Sequence, residues 1–388
     1  MIDFTQKYVS YLKKLKQSAR KEMVPLDFEG EKFIIKDCKK YINFSSNDYL
    51  SLRTNSLLKQ ESINLVKKYG VGSGGSRFLT GNIHIIDALE KKISDWKGAE
   101  ESLIMNSGYQ LNSSVLPALF NENVFTCKPT VFIDKNVHAS IYDGCLRSKI
   151  NLVRFQHNDL DHLERIISNT KWSGAKFVIT ESLFSMNGTM PDLEKLSKIC
   201  LKKDAFLIVD EAHAIGVFGE KGRGLACKAN ITIGTFGKAF GSQGAFLTCS
   251  KKIKQYLVAT CRGLIYTTAP SPAILGSISA ALDLVPKMEE SRKKIYKLAQ
   301  YFKKKLNELN LSILSQDSHI ISIVVKDEST AYLYQDYLRD SGFWVKAIFP
   351  PTVSRKNICL RFTICAFHEI EDIDRVISSF CYLVNKND

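Results

Sequence analysis

The sequence predicts an α/β protein that has a large domain with a mostly parallel central sheet and a smaller C-terminal α/β domain. Between about residues 50 and 250, short apolar stretches alternate with helical patterns, and several of these stretches are apolar throughout. Strands that helices cover on both faces have this composition, because neither face meets water. A second alternation of strand and helix patterns begins near residue 311 and predicts the smaller domain.

Composition places the chain among ordinary globular proteins. It has 388 residues, of which 45% are hydrophobic and 24% are charged, and this length predicts more than one structural unit. No stretch approaches the roughly 20 apolar residues of a membrane helix. Four lysines near the N-terminus alternate with apolar residues, which predicts an amphipathic surface helix and no signal peptide. We therefore expect a cytoplasmic protein without a membrane partner. These lysines are Lys7, Lys13, Lys14 and Lys16.

Cysteine spacing and net charge limit the possible partners. The 10 cysteines are scattered without a CxxC pair, so we expect reduced thiols and no metal site. The formal charge of +14 raises the question of nucleic acid. The lysines are dispersed in short runs, which is typical of solvated helix faces, and a basic surface also attracts an anionic thioester or an acidic carrier protein. Net charge alone does not choose between these partners, although the dispersion of the lysines argues against nucleic acid.

The predicted elements follow one another in a simple order. After the N-terminal helix, a hairpin is expected at 33–35 and 41–44, and one long helix is expected at 272–309. The predicted strands of the large domain are 102–105, 130–133, 151–155, 177–180, 206–209, 231–235 and 245–248. In the smaller domain, strands at 320–325 and 359–364 alternate with helices at 331–340 and 370–384. We divide the chain into an N-terminal arm (1–45), a large domain (46–285) and a small domain (286–388).

The strand at 206–209 leads into an acidic and histidine-containing turn. Asp210 follows the strand directly, and His213 lies three residues further on. Ligands bind at the carboxyl ends of strands in an open parallel sheet, where Asp210 can pair with a cationic nitrogen and His213 can donate a hydrogen bond. Three alternatives remain open for this run alone. The sequence DEAH also resembles a helicase box, it can supply metal ligands, and a strand-end aspartate is often a helix cap.

The next strand leads into a lysine on a glycine-rich turn. Lys238 follows the strand at 231–235 within the sequence FGKAFG. A partly buried lysine beside a cationic group has a lowered pKa and becomes a nucleophile, whereas a surface lysine is the ordinary alternative. The helicase interpretation requires a phosphate loop, and Ala239 stands where that loop requires serine or threonine.

A glycine-rich segment at 70–75 formally matches GxGxxG. The dinucleotide-binding interpretation requires a preceding strand, but residues 61–69 have a helical pattern, so we reject it. We expect these glycines to form a loop that lines a site.

Two further strand ends carry candidate residues. The strand at 102–105 leads into Ser107, Gly108 and Tyr109 at the start of a helical pattern. Backbone N–H groups at such a helix start form an anion site, and a plain strand-to-helix turn is the alternative. His138 follows the strand at 130–133 and, considered alone, is a structural histidine.

Taken in order, these motifs resemble the α-oxoamine synthase family, which comprises fold-type I enzymes that depend on pyridoxal 5'-phosphate. The resemblance extends from about residue 43 to residue 374. Its motifs are NFSSNDYL (43–50), GSGGSR (72–77), VHAS (137–140), TESLFSMNG (180–188), VDEAH (209–213), TFGKAFG (235–241), YTT (266–268) and LRFT (360–363). Each motif is weak alone, and the ordered set is specific.

The resemblance implies roles for the residues around the cofactor ring. Lys238 binds the cofactor as a Schiff base and then removes the Cα proton of the substrate. Asp210 keeps the pyridine nitrogen protonated, so that the ring accepts electrons. His138 stacks on the ring, and His213 donates a hydrogen bond to its phenolic oxygen.

The resemblance also implies the surrounding contacts. Ser107, Gly108, Tyr109 and Thr235 hold the phosphate or the cofactor's edge, and Glu181 and Ser185 belong to a polar network. Thr268 reaches the phosphate of a neighbouring subunit, which implies a homodimer. Asn47 and Arg361 bind the substrate's carboxylate, to which arginine offers two donors.

The implied activity joins an amino acid to an acyl thioester carried by coenzyme A or by an acyl carrier protein. The segment AIFPPTV (347–353) resembles the alanine-using, biotin-pathway branch of the family more than its glycine-using branches, so L-alanine is the expected amino acid. The glycine-using activities remain the alternative. The departures from the family pattern affect acyl preference rather than the cofactor site: Cys359 replaces an arginine, Cys365 replaces a small hydroxylic residue, and Asn187 replaces an aspartate. A non-catalytic subunit is disfavoured because Lys238, Asp210, His138 and His213 are all retained.

Overall fold

The computed structural model describes residues 3–15, 23–171, 173–226, 228–314 and 317–385. Lys16 and Cys227, for which the sequence predicts a surface position and a reduced thiol, lie outside these ranges. The chain falls into two compact units, and each is described by itself. The smaller unit comprises Met1–Ser46, Met186–Gly188 and Ile295–Asp388, and the larger comprises Asn47–Ser185 and Thr189–Lys294. The division into an arm, a large domain and a small domain stays a prediction.

Helices and strands alternate along the described residues. The α-helices are α1 (Phe4–Lys14), α2 (Ser56–Tyr69), α3 (His84–Lys97), α4 (Gly108–Leu119), α5 (Ala139–Leu146), α6 (Leu160–Ser168), α7 (Leu193–Lys202), α8 (Lys251–Thr260), α9 (Arg262–Ile265), α10 (Pro272–Leu284), α11 (Glu289–Glu308), α12 (Glu328–Asp340) and α13 (Ile370–Asn385). The strands are β1 (Asp27–Glu29), β2 (Phe33–Lys36), β3 (Lys39–Asn43), β4 (Glu101–Met105), β5 (Thr130–Asp134), β6 (Asn151–Phe155), β7 (Lys176–Glu181), β8 (Ala205–Asp210), β9 (Ile231–Thr235), β10 (Ala245–Cys249), β11 (Ile320–Val324), β12 (Phe343–Trp344), β13 (Lys346–Ile348) and β14 (Cys359–Thr363).

The larger unit is built on a seven-stranded sheet of order β4-β10-β9-β8-β7-β5-β6. Only β10 runs antiparallel to its neighbours, and the other paired strands of this sheet are parallel. The predicted mostly parallel sheet is therefore confirmed. Each of its seven strands was predicted to within one residue at either end, because continuous apolar runs mark strands that are buried on both faces.

Both faces of this sheet are covered. Phe177 and Ile179 of β7 pack on the side of α4, α5, α8 and α9, whereas Val178 packs on the side of α6 and α7. Successive side chains of a strand point to opposite faces, so an uninterrupted apolar run supplies two cores at once. This arrangement leaves the carboxyl ends of the parallel strands as the place where polar side chains collect.

The smaller unit contains two sheets, of orders β1-β2-β3-β12 and β11-β14-β13. The predicted hairpin is confirmed, since β2 and β3 pair antiparallel. Phe44, Phe302 and Phe362 pack against one another in the core of this unit. The predicted strands and helices of the C-terminal part are present with small shifts at their ends.

The single helix predicted at 272–309 is wrong. The structure breaks it into α10 and α11, with a 3₁₀ turn at Val285–Lys287 between them. Pro286 has no N–H group for the helical hydrogen bond and its ring collides with the preceding turn. The apolar and basic periodicity continues past this proline, and this is why the sequence pattern predicted a single helix.

The described residues contain neither a membrane-spanning helix nor a cluster of metal ligands. No helix in these ranges is both long and apolar enough to cross a bilayer. No group of three or more histidine, cysteine, aspartate or glutamate side chains in the same ranges is arranged to hold a metal ion.

A buried histidine in the smaller unit makes stability depend on pH. Burial, followed by the charges of Arg361 and Lys303, lowers the pKa of His319 to about 3. Its unfolded pKa is about 6.5, so the unfolded state binds more protons below this pH, and the folded state loses stability as the pH falls from about 6.5 towards 3.

We expect His319→Gln to remove this dependence. Between pH 7 and pH 5, His319 should lower the unfolding free energy of the native protein by about 2 kcal/mol. The variant lacks this contribution, so its unfolding free energy should fall by about 2 kcal/mol less than that of the native protein over the same interval. Urea unfolding at both pH values measures the difference. The control is His84→Gln, which changes an exposed histidine. Equal pH slopes for native protein and His319→Gln would contradict the prediction.

Candidate active site

Polar side chains gather where three adjacent parallel strands end. Glu181, Asp210 and Thr235 are the last residues of β7, β8 and β9. These side chains border a cavity of about 220 Å³. Its lining comprises Gly108, Tyr109, Asn112, His138, Ser140, Glu181, Asp210, Ala212, His213, Ile233, Gly234, Thr235 and Lys238. The structure thus brings together eight of the predicted site residues, drawn from separate parts of the sequence.

The amine of Lys238 lies against an imidazole. Its Nζ is 2.8 Å from Nε2 of His213, and the other ring nitrogen, Nδ1, is 2.6 Å from the hydroxyl of Tyr49. The same hydroxyl is 3.2 Å from Oδ1 of Asn47. Asn47 does not line the cavity, and these contacts connect it to Lys238. Sequence reasoning gave Tyr49 no role, although it stands within the NFSSNDYL motif.

Asp210 is buried and held in place by two donors. Its carboxylate accepts hydrogen bonds from Nδ2 of Asn112 and from the backbone N–H of Ala212, each at 2.9 Å. Asn112 also donates to Oγ of Ser140, at 3.0 Å. Sequence reasoning missed Asn112. Its signal was its position four residues after Gly108, which places both on one face of α4.

Glu181 and His138 form a second contact at the cavity. The backbone N–H of His138 donates to Oε1 of Glu181 at 2.6 Å. Burial, followed by the negative charge of Asp210, raises the pKa of Glu181 well above its ordinary value. Desolvation lowers the pKa of His138, although the negative charge of Asp210 acts in the opposite direction.

Glu211, next to Asp210, has a different environment. Its carboxylate pairs with Nζ of Lys97 at 2.5 Å and accepts from the backbone N–H groups of Leu225 and Ala226. Both members of the ion pair are buried. Glu211 is absent from the cavity lining, so the DEAH run divides between a structural carboxylate and the two side chains that face the cavity, Asp210 and His213.

The start of α4 supplies backbone donors. Ser107 caps this helix, since its Oγ accepts from Gln110 at 3.2 Å. The N–H groups of Gly108 and Tyr109 lie in the first turn, where no intrahelical acceptor exists, and both residues line the cavity. The Tyr109 hydroxyl donates to Asp143, so only its backbone is left for an anion.

The other predicted residues either lie outside this cavity or have their polar groups bonded to other residues. Ser185 is half-buried after β7, and the carbonyl of the exposed Thr268 accepts from Asn106 at 2.8 Å. Arg361 belongs to the smaller unit, where its guanidinium donates to Oγ1 of Thr363 at 3.0 Å. Thr235 does line the cavity, but its hydroxyl donates to the carbonyl of Gly244 at 3.0 Å and accepts from Gly237 at 3.1 Å. Their roles toward cofactor, substrate and partner subunit stay predictions.

The GxGxxG segment follows a helix, as expected. α2 ends at Tyr69, and Gly70 adopts φ 85°, which favours glycine. A dinucleotide-binding turn would follow a strand, so the structure agrees with rejecting that interpretation.

The residues of the cavity fit pyridoxal phosphate chemically. An amine suits the cofactor's aldehyde, a buried carboxylate suits its pyridinium nitrogen, and free N–H groups at a helix start suit its phosphate. One buried polar atom, Oδ1 of Asn112, has no hydrogen-bond partner among the described residues. A cavity with this donor and acceptor set is suited to a polar, charged ring.

Comparisons with known proteins agree with the geometry. The family model described as aminotransferase class I and II matches residues 39–380. A putative 8-amino-7-oxononanoate synthase from Paramagnetospirillum magneticum is 38% identical over 95% of both chains. An 8-amino-7-oxononanoate synthase from Gluconacetobacter diazotrophicus is 37% identical, covering 93% of this chain and 92% of that one.

Solved structures extend the likeness to the fold. A serine palmitoyltransferase from S. paucimobilis with bound PLP–myriocin aldimine superposes with a TM-score of 0.91 at 25% identity, covering 99% of this chain and 100% of that one. An 8-amino-7-oxononanoate synthase from Francisella tularensis gives a TM-score of 0.78 at 28% identity, covering 89% of this chain and 98% of that one.

Fold and site together define an enzyme of fold type I that depends on pyridoxal phosphate. The chain belongs to the aminotransferase class I and II family and, within it, to the acyl-transferring α-oxoamine synthases. The resemblance carried by the ordered motifs is thereby confirmed.

Proposed function

We propose that this enzyme condenses L-alanine with a pimeloyl thioester to form 8-amino-7-oxononanoate, a reaction of biotin biosynthesis. One observation carries the choice within the family. Relatives with this name are 37–38% identical over more than nine-tenths of the chain, whereas the serine palmitoyltransferase is 25% identical. The thiol released is coenzyme A or a carrier-protein thiol.

The reaction forms one carbon–carbon bond and breaks two bonds. Cα of alanine joins the thioester's carbonyl carbon, the carbon–sulfur bond breaks, and the carboxylate leaves as carbon dioxide. One proton is taken up for each carbon dioxide released. The protein must therefore move a proton at Cα twice and hold the carboxylate until it leaves.

Pyridoxal phosphate, when bound, supplies an electron sink for the negative charge that develops at Cα. Lys238 would hold the cofactor's aldehyde and, once released, move the Cα proton at its Nζ. Asp210, fixed by Asn112 and Ala212, would hold a proton on the pyridine nitrogen. His213 would donate to the phenolic oxygen.

The remaining contacts position the two ligands. Ser107 would orient the start of α4 so that Gly108 and Tyr109 bind the phosphate through their N–H groups. Asn47 and Arg361 would bind the carboxylate of the amino acid. We further propose a homodimer in which Thr268 contacts the phosphate of the partner subunit's site.

Serine palmitoyl transfer is the second candidate. The TM-score to the serine palmitoyltransferase, 0.91, exceeds the 0.78 to the oxononanoate synthase. Sheet and cofactor cavity are shared by these activities, so overall likeness discriminates between them less than sequence identity does.

Thiol release from purified, cofactor-loaded protein tests the proposal. We expect kcat/KM to be at least about 10-fold higher for L-alanine with pimeloyl-CoA than for either competing pair, which corresponds to about 1.4 kcal/mol of transition-state binding. The competing pairs are L-serine with palmitoyl-CoA and glycine with acetyl-CoA. A preference for either would retain the family and cofactor and overturn the substrate assignment. A pimeloyl carrier protein assayed beside pimeloyl-CoA identifies the carrier.

A further inference from the structure

A series of hydrogen bonds within the larger unit runs from the half-buried Lys238 through two buried side chains to the exposed Asn47. Nζ of Lys238 lies 2.8 Å from Nε2 of His213, and Nδ1 of His213 lies 2.6 Å from the hydroxyl of Tyr49. That hydroxyl lies 3.2 Å from Oδ1 of Asn47. Tyr49 is 0% exposed and His213 is 5% exposed. Buried polar groups of this kind depend on their hydrogen bonds, because a lost partner is not replaced by water.

This series of hydrogen bonds allows two proton arrangements. The hydroxyl proton of Tyr49 can be donated to Oδ1 of Asn47 or to Nδ1 of His213. In the first arrangement, the ammonium of Lys238 donates to Nε2, Nδ1–H donates to the Tyr49 oxygen, and Tyr49 donates to Asn47. In the second, Lys238 is a neutral amine that accepts from Nε2–H, and Tyr49 donates to Nδ1. The two arrangements differ by one proton, which is the one that Lys238 releases.

We propose that Tyr49 is a positioning residue that selects which ring nitrogen of His213 carries the proton, and so couples the amide of Asn47 to the protonation of Lys238. The inference rests on the roles proposed above for Lys238, His213 and Asn47. When His213 donates from Nε2 to the cofactor, Tyr49 donates to Nδ1 and Oδ1 of Asn47 no longer receives its proton. The amide of Asn47, which would bind the substrate's carboxylate, therefore changes its hydrogen bonding with the protonation of Lys238.

The hydroxyl of Tyr49 differs in this respect from another in the same unit. Tyr256 donates to the backbone carbonyl of Ala118 at 2.7 Å. A carbonyl only accepts, so that bond has a single arrangement, whereas an imidazole donates or accepts according to its tautomer. Tyr256→Phe is therefore a matched control that removes a hydroxyl without altering a tautomer.

The first test uses protein without cofactor and does not measure activity. In protein labelled with ¹⁵N-histidine, His213 is assigned by its absence in His213→Gln. We expect its two ring nitrogens to give well-separated resonances in the native protein, one protonated and one not. Tyr49→Phe removes one of the two contacts that select the tautomer, the other being Lys238 at Nε2. The selection should be weaker, and the two resonances should move towards each other. Tyr256→Phe should match the native protein.

The second test titrates the visible absorbance of the lysine-bound cofactor. Donation from Tyr49 to Nδ1 makes Nε2–H a stronger donor, which favours the deprotonated form of the linkage. Tyr49→Phe should therefore raise the titration midpoint by about 0.5–1 pH unit, which is the size expected from one buried hydrogen bond. Asn47→Ala removes one acceptor of the Tyr49 proton, so that Tyr49 donates to Nδ1 of His213 more often, and this should lower the midpoint.

The other titratable groups that line the same cavity remain in both variants. They are Tyr109, His138, Glu181 and Asp210. Shifts of opposite sign in the titration midpoints of Tyr49→Phe and Asn47→Ala would therefore arise from the hydrogen bonds between Lys238 and Asn47. Unchanged nitrogen resonances and an unchanged midpoint in Tyr49→Phe would overturn the proposal. If Tyr49→Phe does not fold, an unchanged or raised midpoint in Asn47→Ala overturns it. If the native protein binds no cofactor, the proposed function fails, while the nitrogen resonances still decide the role of Tyr49.

Discussion

Replacing Lys238 with alanine is expected to prevent covalent attachment of the cofactor and to lower kcat by at least about 10³-fold. Lys238 contributes its amine to the cavity beside His213. The proposed function gives that amine two tasks, holding the cofactor and moving the Cα proton. An alanine performs neither, and Asp210 and His213 would remain to bind the cofactor without a covalent bond.

Mass spectrometry measures the covalent bond directly. Borohydride reduction followed by digestion should place the cofactor's mass on the peptide that contains Lys238 in the native protein, and on no peptide of the variant. Lys252→Ala is the control, since it removes an exposed lysine from α8 of the same unit. Cofactor on another lysine of the native protein, or normal turnover in Lys238→Ala, would contradict the assignment.

The sheet and the ends of its strands were predictable from the sequence because burial on both faces leaves an uninterrupted apolar run. Asp210 was placed correctly for that reason, as the first polar position after its apolar run, and Thr235 was placed correctly as the last residue of its strand. The helix at 272–309 was predicted wrongly, because Pro286 breaks the helix although the apolar and basic periodicity continues across it. Local sequence thus located strand ends better than it located helix breaks.

The candidate site was predictable where the motif itself sits at a strand end. Asn112 was missed because its partner Asp210 lies 98 residues away, and only the packing of α4 on the sheet brings them together. Tyr49 was missed for a similar reason, since its contact with His213 spans 164 residues. The sequence also did not indicate that the adjacent residues Asp210 and Glu211 have different environments. Glu211 pairs with Lys97, 114 residues away, while Asp210 faces the cavity. Contacts of this range depend on tertiary structure, and a single sequence carries no direct signal for them.

The adjacent carboxylates Asp210 and Glu211 should respond to substitution in opposite ways. Asp210→Asn removes the charge that would hold a proton on the cofactor's pyridine nitrogen, so we expect kcat to fall by about 10²–10³-fold. The amide oxygen still accepts from the N–H of Ala212, but an NH2 group replaces Oδ2, to which Asn112 donates. The variant should therefore lose about one hydrogen bond and keep most of its stability. Steady-state kinetics and the visible spectrum of the cofactor measure the effect.

Glu211→Gln should mainly reduce stability. Lys97 and Glu211 are 6% and 1% exposed, and neutralising one member of a buried ion pair leaves the other charge without compensation, at a cost of about 3–5 kcal/mol. Urea unfolding should show this loss, while the cofactor spectrum of the folded fraction stays native. Adding Lys97→Met to Glu211→Gln removes the uncompensated charge and should recover part of the stability. If Glu211→Gln instead changed the cofactor spectrum as Asp210→Asn does, the division of the DEAH run into a structural and a catalytic carboxylate would be wrong.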